Sequence, residues 1–218
     1  MTSGKEDYLK ALYILGEDHP VVSNKALSEY LKVSAPSVSE MIAKLQREGF
    51  LCYTAYRGST LTEKGKDEAV RLLRFHGLWE VFLTRCLGYS WSGAHEEAER
   101  LEHYTSLKMA QRLDEYLKHP LHGPSGSAIP SADGEVPLVP VISLDKLKAG
   151  DMSRIRRVTE DKELMDYLQE QGIRIGMKFR LKEAAPYEGS RVLDTEEGDI
   201  TISYKAACQI FVDDLGGN

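Results

Sequence analysis

The run His95–His103, His-Glu-Glu-Ala-Glu-Arg-Leu-Glu-His, puts charge where a helix of this chain should be apolar. Ser92–Leu117 has helical period, with Ser92 placed to cap it. At about 100° per residue, His95, Glu99, Glu102 and His103 share one arc of roughly 100°. The same stripe continues as Met109, Ala110, Leu113 and Leu117. A solvated acidic face would lie opposite an apolar stripe; here two carboxylates and two imidazoles replace apolar residues on the stripe itself. Burying such groups unpaired is very costly, so a cation is expected among them. No Lys or Arg shares the arc, which makes a divalent metal the economical partner. The competing reading is a helix whose first turns border a solvent-filled cleft.

Net charge confines any nucleic-acid face to one part of the chain. The whole carries −6. Val21–Lys66 holds seven Lys/Arg against four Asp/Glu, net +3, whereas residues 120–218 hold twelve against seventeen, net −5. A DNA-binding surface therefore belongs in the N-terminal third. No apolar run approaches the roughly 20 residues that span a membrane. With no signal pattern at Met1–Pro20, the chain is expected to stay in the cytoplasm without a membrane partner. Cys52, Cys86 and Cys208 are isolated and suggest neither a disulfide framework nor a thiolate site.

Lys5–Leu15 has a helical pattern that Pro20 ends, with Asp7 near its start, where a carboxylate suits the helix dipole. Ser23 or Asn24 caps a short helix over Lys25–Leu31. Ser34 caps another, with Pro36 in its first turn, Val38, Met41, Ile42 and Leu45 as its stripe, and Gly49 at its end. Two short helices so joined read as a helix-turn-helix. Phe50–Tyr56, Arg57-Gly58 and Ser59–Leu61 read as a β-hairpin, which makes the unit a winged helix. Ser37, Ser39, Glu40 and Lys44 lie on the exposed face of the second helix. With Ser34 and Pro36 at its N-terminus and Arg57 at the hairpin tip, they are the candidate DNA contacts.

Thr62 caps a long helix, Glu63–Leu87, in which His76 and its i+4 neighbour Glu80 sit among Leu72, Leu73, Trp79 and Leu83. Both long helices are apolar over a wide arc, which suggests a homodimer interface. Residues 120–140 are Pro/Gly/Ser-rich and read as a linker. Beyond Val141, short strands at Ser153–Val158, Met177–Leu181, Ser190–Asp194, Asp199–Tyr204 and Gln209–Val212 and one helix, Glu163–Gln171, fit a small β-barrel. The expected fold is α+β in four segments: 1–62 winged helix-turn-helix, 63–119 helical metal-binding and dimerisation domain, 120–140 linker, and 141–218 small β-barrel.

These parts together resemble the diphtheria-toxin-repressor and manganese-transport-regulator family of metal-dependent repressors, over essentially the full length. The motifs that carry the resemblance are Lys5-Glu6-Asp7-Tyr8-Leu9, Val33-Ser34-Ala35-Pro36-Ser37-Val38-Ser39, Leu61-Thr62-Glu63-Lys64-Gly65, Phe75-His76-Gly77-Leu78-Trp79-Glu80 and His95–His103. The resemblance implies an SH3-like C-terminal domain, similar to the ferrous-iron-transport A domain. It implies a primary metal site from Asp7, Glu99, Glu102 and His103. It implies a second site from His76, Glu80 and His95, completed by side chains of the SH3-like domain, for which Glu160 and Glu163 fit by spacing, and so two metal ions per chain. A ligand set rich in oxygen and lacking sulfur suits Mn(II) or Fe(II).

The expected function is a cytoplasmic, homodimeric repressor that binds a double-stranded DNA operator when loaded with Mn(II) and controls metal-uptake genes; an Fe(II)-dependent repressor of iron homeostasis is the alternative. The chain is not expected to be an enzyme. A zinc protease needs His-Glu-x-x-His, and His95-Glu96-Glu97-Ala98-Glu99 ends in Glu; a di-iron bundle needs repeated Glu-x-x-His. A carboxylate-bridged metalloenzyme and a winged-helix sensor of an organic ligand stay as rivals.

Overall fold

The computed structural model describes residues 1–16, 21–137 and 139–214. Pro20, expected to end the first helix, lies outside the described residues. The fold is α+β, and its described residues divide into two compact units. One comprises Met1–His76, Glu99–Arg112 and Pro130–Val136; the other comprises Gly77–Ala98, Leu113–Ile129 and Pro137–Asn218.

The first unit opens with three helices, α1 (Ser3–Leu15), α2 (Asn24–Leu31) and α3 (Ala35–Arg47), then the strands β1 (Leu51–Thr54) and β2 (Gly58–Leu61). Local chemistry explains these boundaries. Ser23 Oγ accepts from Ala26 N at 3.1 Å, and Ser34 Oγ accepts from Ser37 N, with Pro36 in the first turn of α3. Lys32, between the two helices, is left-handed at φ 54° and so turns the chain. Leu9, Leu12, Leu27, Val38, Ile42, Leu45 and Leu51 form one buried core that binds the three helices to the hairpin. The wing is an antiparallel pair with Leu51 opposite Leu61 and Thr54 opposite Gly58. A backbone bridge also ties it to the segment before α2: Val22 N donates to Ser59 O at 2.9 Å, and Ser59 N to Val22 O at 2.8 Å. Gly58, at φ +131°, sits so close that a Cβ would lie 2.3 Å from Val22 O.

The helix α4 (Glu63–Leu87) follows, capped as expected by Thr62, whose Oγ1 accepts from Gly65 N at 3.2 Å and donates to Gly49 O at 2.8 Å. The single helix expected over Ser92–Leu117 is instead two, α5 (Trp91–Leu101) and α6 (Leu107–Tyr116), separated by a 3₁₀ turn at Glu102–Tyr104. Thr105 is extended at φ −83°, ψ 120°. Its Oγ1 donates back to Leu101 O at 2.7 Å, and Ser106 Oγ accepts from Met109 N at 3.1 Å, which starts a new helix. The cap of α5 is also two residues earlier than expected: Ser90 Oγ accepts from Gly93 N, while Ser92 Oγ donates to Asp166 Oδ1. The stripe therefore does not run on unbroken. Ala110, Leu113 and Leu117 are buried, but Met109 is half-exposed.

In the second unit, β3 (Val141–Ser143), β4 (Met152–Val158), α7 (Lys162–Glu170), β5 (Lys178–Ala184), β6 (Arg191–Thr195), β7 (Gly198–Ile202), α8 (Tyr204–Ala207) and β8 (Ile210–Asp213) build a six-stranded antiparallel sheet in the order β3-β8-β4-β5-β6-β7. Leu144, Ile155, Leu168, Phe179, Leu181, Leu193, Ile202 and Val212 are the heart of its core. Tyr204, expected at a strand end, starts α8 because Ser203 caps that turn through Ala206 N. The Pro/Gly-rich segment joins this unit closely. Ser125 and Ile129 are buried, His122 bridges Ala128, and Val158 N donates to Ser125 O at 2.9 Å.

Gly65 marks where α4 meets the hairpin: a Cβ there would stand 2.0 Å from the carbonyl oxygen of Phe50. Gly65→Ala is therefore expected to destabilise the protein by about 1–3 kcal/mol, since backbone must shift to admit the methyl. Chemical denaturation of the two proteins measures it, and equal midpoints would show that the contact relaxes without cost.

Candidate metal centre

α1 aims acidic and basic groups at the turn between α5 and α6. On α1, Glu6, Asp7 and Lys10 are within one helical turn of one another, so three ionisable side chains leave from neighbouring positions. The 3₁₀ turn presents Glu102 and His103, and the last turn of α5 presents Glu99. Glu102 has a fully buried carboxylate, with side-chain exposure of 0%. His103 Nε2 lies 3.0 Å from Asp7 Oδ1, and its Nδ1 lies 2.7 Å from Glu6 Oε2. Carboxylate contact at one ring nitrogen leaves the other aimed at Asp7 and Glu102. Glu6 is in turn 3.5 Å from the Arg71 guanidinium on α4.

Two overlapping groups of donor atoms result, each with all its atoms within 4.8 Å of one another. One is Asp7, Glu102 and His103; the other is His76, Glu99 and Glu102. Ligands about 2.2 Å from one ion lie at most roughly 4.4 Å apart, so small rotations suffice to close either group on a cation. Glu102 belongs to both. Glu99, grouped with Asp7 by the family resemblance, here lies in the second group. His76, assigned to the second site, also stands here: its Nδ1 is 2.6 Å from Glu102 Oε2.

The sequence reading missed Lys10. Its ammonium donates to Glu99 Oε1 at 2.8 Å and to both Glu102 oxygens at 3.0 and 2.9 Å, and it lies 3.2 Å from His76 Nδ1. No Lys or Arg shares the arc on its own helix, but α1 supplies a cation from about 90 residues upstream. Burial by itself would lower the Lys10 pKa. The charges of Glu102 and Glu99 and hydrogen bonds to both outweigh it and hold the ammonium above lysine's ordinary range. Burial raises the Asp7 carboxyl; His103 opposes the shift, and Glu99 and Glu102 add to it. Lys10 had one legible signal, a charge flanked by Leu9 and Ala11 on the buried side of α1. Glu6 had the i, i+4 spacing to Lys10.

In the second unit, His95 Nδ1 lies 3.0 Å from Glu80 Oε1, and Glu160 offers a carboxylate within 4.8 Å of both. Glu80 is buried. Ser125 Oγ donates to Glu160 Oε1 at 2.7 Å and fixes that carboxylate. Gly123 packs over the group, since a Cβ there would be 3.0 Å from Glu80 Oε2. Glu163 is exposed in the first turn of α7 and belongs to none of the metal-capable groups among the described residues.

All the candidate DNA contacts, Ser34, Pro36, Ser37, Ser39, Glu40, Lys44 and Arg57, are exposed. Ser34 and Ser37 Oγ atoms lie 2.8 Å apart at the α3 N-terminus. Beside the wing, Ser23, Asn24, Tyr53, Tyr56, Arg57 and Gly58 line a shallow open groove. No helix among the described residues is long and apolar enough to cross a membrane.

Comparison with known proteins matches residues 1–59 to the iron dependent repressor N-terminal DNA binding domain. Residues 62–131 match the iron dependent repressor metal binding and dimerisation domain, and residues 142–214 match the FeoA domain. A solved manganese-dependent transcriptional repressor in complex with manganese is 34% identical, with a TM-score of 0.89, and the match covers 97% of this chain and 100% of that one. The chain belongs to the iron-dependent repressor family. Among its relatives, the iron-dependent repressor IdeR of Mycobacterium tuberculosis is 28% identical over 95% of this chain and 96% of that protein. The diphtheria toxin repressor of Corynebacterium diphtheriae is 29% identical over 96% of this chain and 92% of that protein. The repressor is thus a divalent-metal-dependent DNA-binding regulator. Asp7 comes from its DNA-binding domain, and Glu102 and His103 come from its metal-binding and dimerisation domain.

The Glu6–His103 contact generates a measurable expectation. Glu6→Gln removes the carboxylate that orients the imidazole, and divalent-metal affinity is expected to fall about 10- to 100-fold. Equilibrium dialysis checks it; unchanged affinity would mean that His103 is oriented by other contacts.

Proposed function

We propose that this repressor acts in the cytoplasm as a homodimer, that Mn²⁺ is its activating metal, and that the metal-loaded dimer binds an operator upstream of metal-uptake genes. The observation that carries the reading is the convergence of Asp7 from α1 with Glu102 and His103 from the turn after α5. One ion held by those three, with Glu99 beside them, joins the DNA-binding domain to the dimerisation domain. The ion adds positive charge to three carboxylates, Asp7, Glu99 and Glu102, whose combined charge Lys10 offsets only in part. It shifts the population only if it binds the DNA-competent arrangement more tightly than the others. Two recognition helices α3 in a dimer would then enter successive major grooves about 34 Å apart. Ser34, Ser37 and Ser39 with the helix N-terminus would contact phosphates or base edges, and Lys44 and Arg57 would contact phosphates.

Mn²⁺ is favoured because the donor set holds carboxylates and imidazole and no sulfur, and because the 34%-identical relative is named for manganese. Fe²⁺ is the second reading, favoured by the relatives named for iron. A second ion would sit among Glu80, His95 and Glu160.

A DNA-shift titration on the chain's own promoter region, at buffered free Mn²⁺, Fe²⁺ and Zn²⁺ without oxygen, tests the reading. Mn²⁺ is expected to induce specific binding, and activation by Fe²⁺ but not by Mn²⁺ would overturn the choice of metal. Ser37→Glu sets a carboxylate against phosphate and is expected to weaken operator binding more than tenfold while metal uptake stays unchanged. Unaltered DNA affinity in that variant would remove α3 from the interface.

A further inference from the structure

We propose that the Lys10 ammonium is a resident cation that occupies the second position of a two-position site, so that the cluster built on Glu102 accepts one divalent ion and not two. The inference deepens the metal reading above and rests on it.

Glu102 is common to two donor groups, Asp7–Glu102–His103 and His76–Glu99–Glu102. Residue types and spacings suit a cation in each. The ammonium already stands in the second group, within 3.2 Å of Glu99, Glu102 and His76. It is not a surface lysine caught in passing. Its side chain is 8% exposed, and Glu102 and His76 beneath it are 0% and 3% exposed. A divalent ion entering that position would have to displace the Lys10 ammonium from all of these contacts at once.

Charge balance points the same way. Asp7, Glu99 and Glu102 carry three negative charges and Lys10 one positive, a formal −2, which one divalent ion cancels. Glu6 lies on the far side of the His103 ring and, with Glu68, faces Arg71, so it is counted apart from these three. Two divalent ions beside Lys10 would leave +2 in a buried site. The same ammonium gives the metal-free protein a contact between α1 and the Glu99–Glu102 segment, so the carboxylates are never left wholly unpaired.

The test uses the full chain and Mn²⁺ alone. The wild type saturated with Mn²⁺ is expected to give an electron paramagnetic resonance spectrum of uncoupled ions. Lys10→Glu replaces the ammonium by a carboxylate and makes the balance four negative charges against two divalent ions. It is expected to gain one Mn²⁺ per chain over wild type and to show an exchange-coupled pair through Glu102. Any ion held by Glu80, His95 and Glu160 counts equally in both proteins. Lys10→Met keeps the length of the stem without the charge; its metal-free form is expected to melt at a lower temperature than wild type and to gain more on Mn²⁺ addition. An exchange-coupled pair in the wild type overturns the proposal, as does a Lys10→Glu variant with neither the added ion nor the coupling. If Lys10→Glu does not fold, the wild-type spectrum and the two melting shifts of Lys10→Met decide, and equal shifts in Lys10→Met and wild type count against it. A wild type that takes up no Mn²⁺ overturns the metal reading itself, and this proposal falls with it.

Discussion

A carboxylate with no exposed surface, Glu102, sets the terms for the residues around it. Such a group is tolerated only where cations and hydrogen bonds replace the water it lost, and removing one partner of a buried pair costs roughly 3–5 kcal/mol. Its surroundings supply several. Lys10 meets both of its oxygens, His76 lies against Oε2, and His103 with Asp7 flanks the other side. Because Lys10 and Asp7 leave α1 one turn apart, helix packing in the DNA-binding domain and the electrostatics of the metal centre are the same problem. A change in charge at Glu102 is felt first at α1, the helix whose Leu9 and Leu12 form the core against α2, α3 and the hairpin.

The second unit has a buried carboxylate of its own. Glu80 is buried beside His95, and Glu160 receives the Ser125 hydroxyl. The small residues of a segment that composition marks as linker make this approach possible. Gly123 leaves room for the Glu80 carboxylate, and Ser125 reaches Glu160 while its backbone oxygen accepts from Val158. A Pro/Gly/Ser-rich stretch is thus compatible with close packing where the chain must pass near a buried charge.

The break between α5 and α6 shows how local polar chemistry shapes the centre. A continuous helix would have placed Glu102 and His103 by 3.6-residue geometry alone. Thr105 and Ser106 instead end one helix and cap the next, so Glu102 and His103 project from a 3₁₀ turn. Side chains on a turn leave the axis at angles a regular helix does not offer, and here they converge on α1.

What the sequence determined by itself are the features written in nearest-neighbour chemistry. Thr62 and Ser34 as caps, the stripe Val38, Ile42, Leu45 on the recognition helix, the hairpin around Gly58 and the unusual charge on the stripe of His95–His103 are all legible from spacing, because each depends on residues a few positions apart. The same spacing reads Asp7 as a dipole carboxylate, and only resemblance to a family names it a ligand. The tertiary structure decided what spacing cannot encode: that Lys10 stands between Glu99 and Glu102, that Glu6 orients His103, that His76 turns toward Glu102, and that Ser125 holds Glu160. Those partners lie tens of residues apart along the chain. A charge's partner across such a separation is set by how helices pack, and the packing itself depends on the whole core.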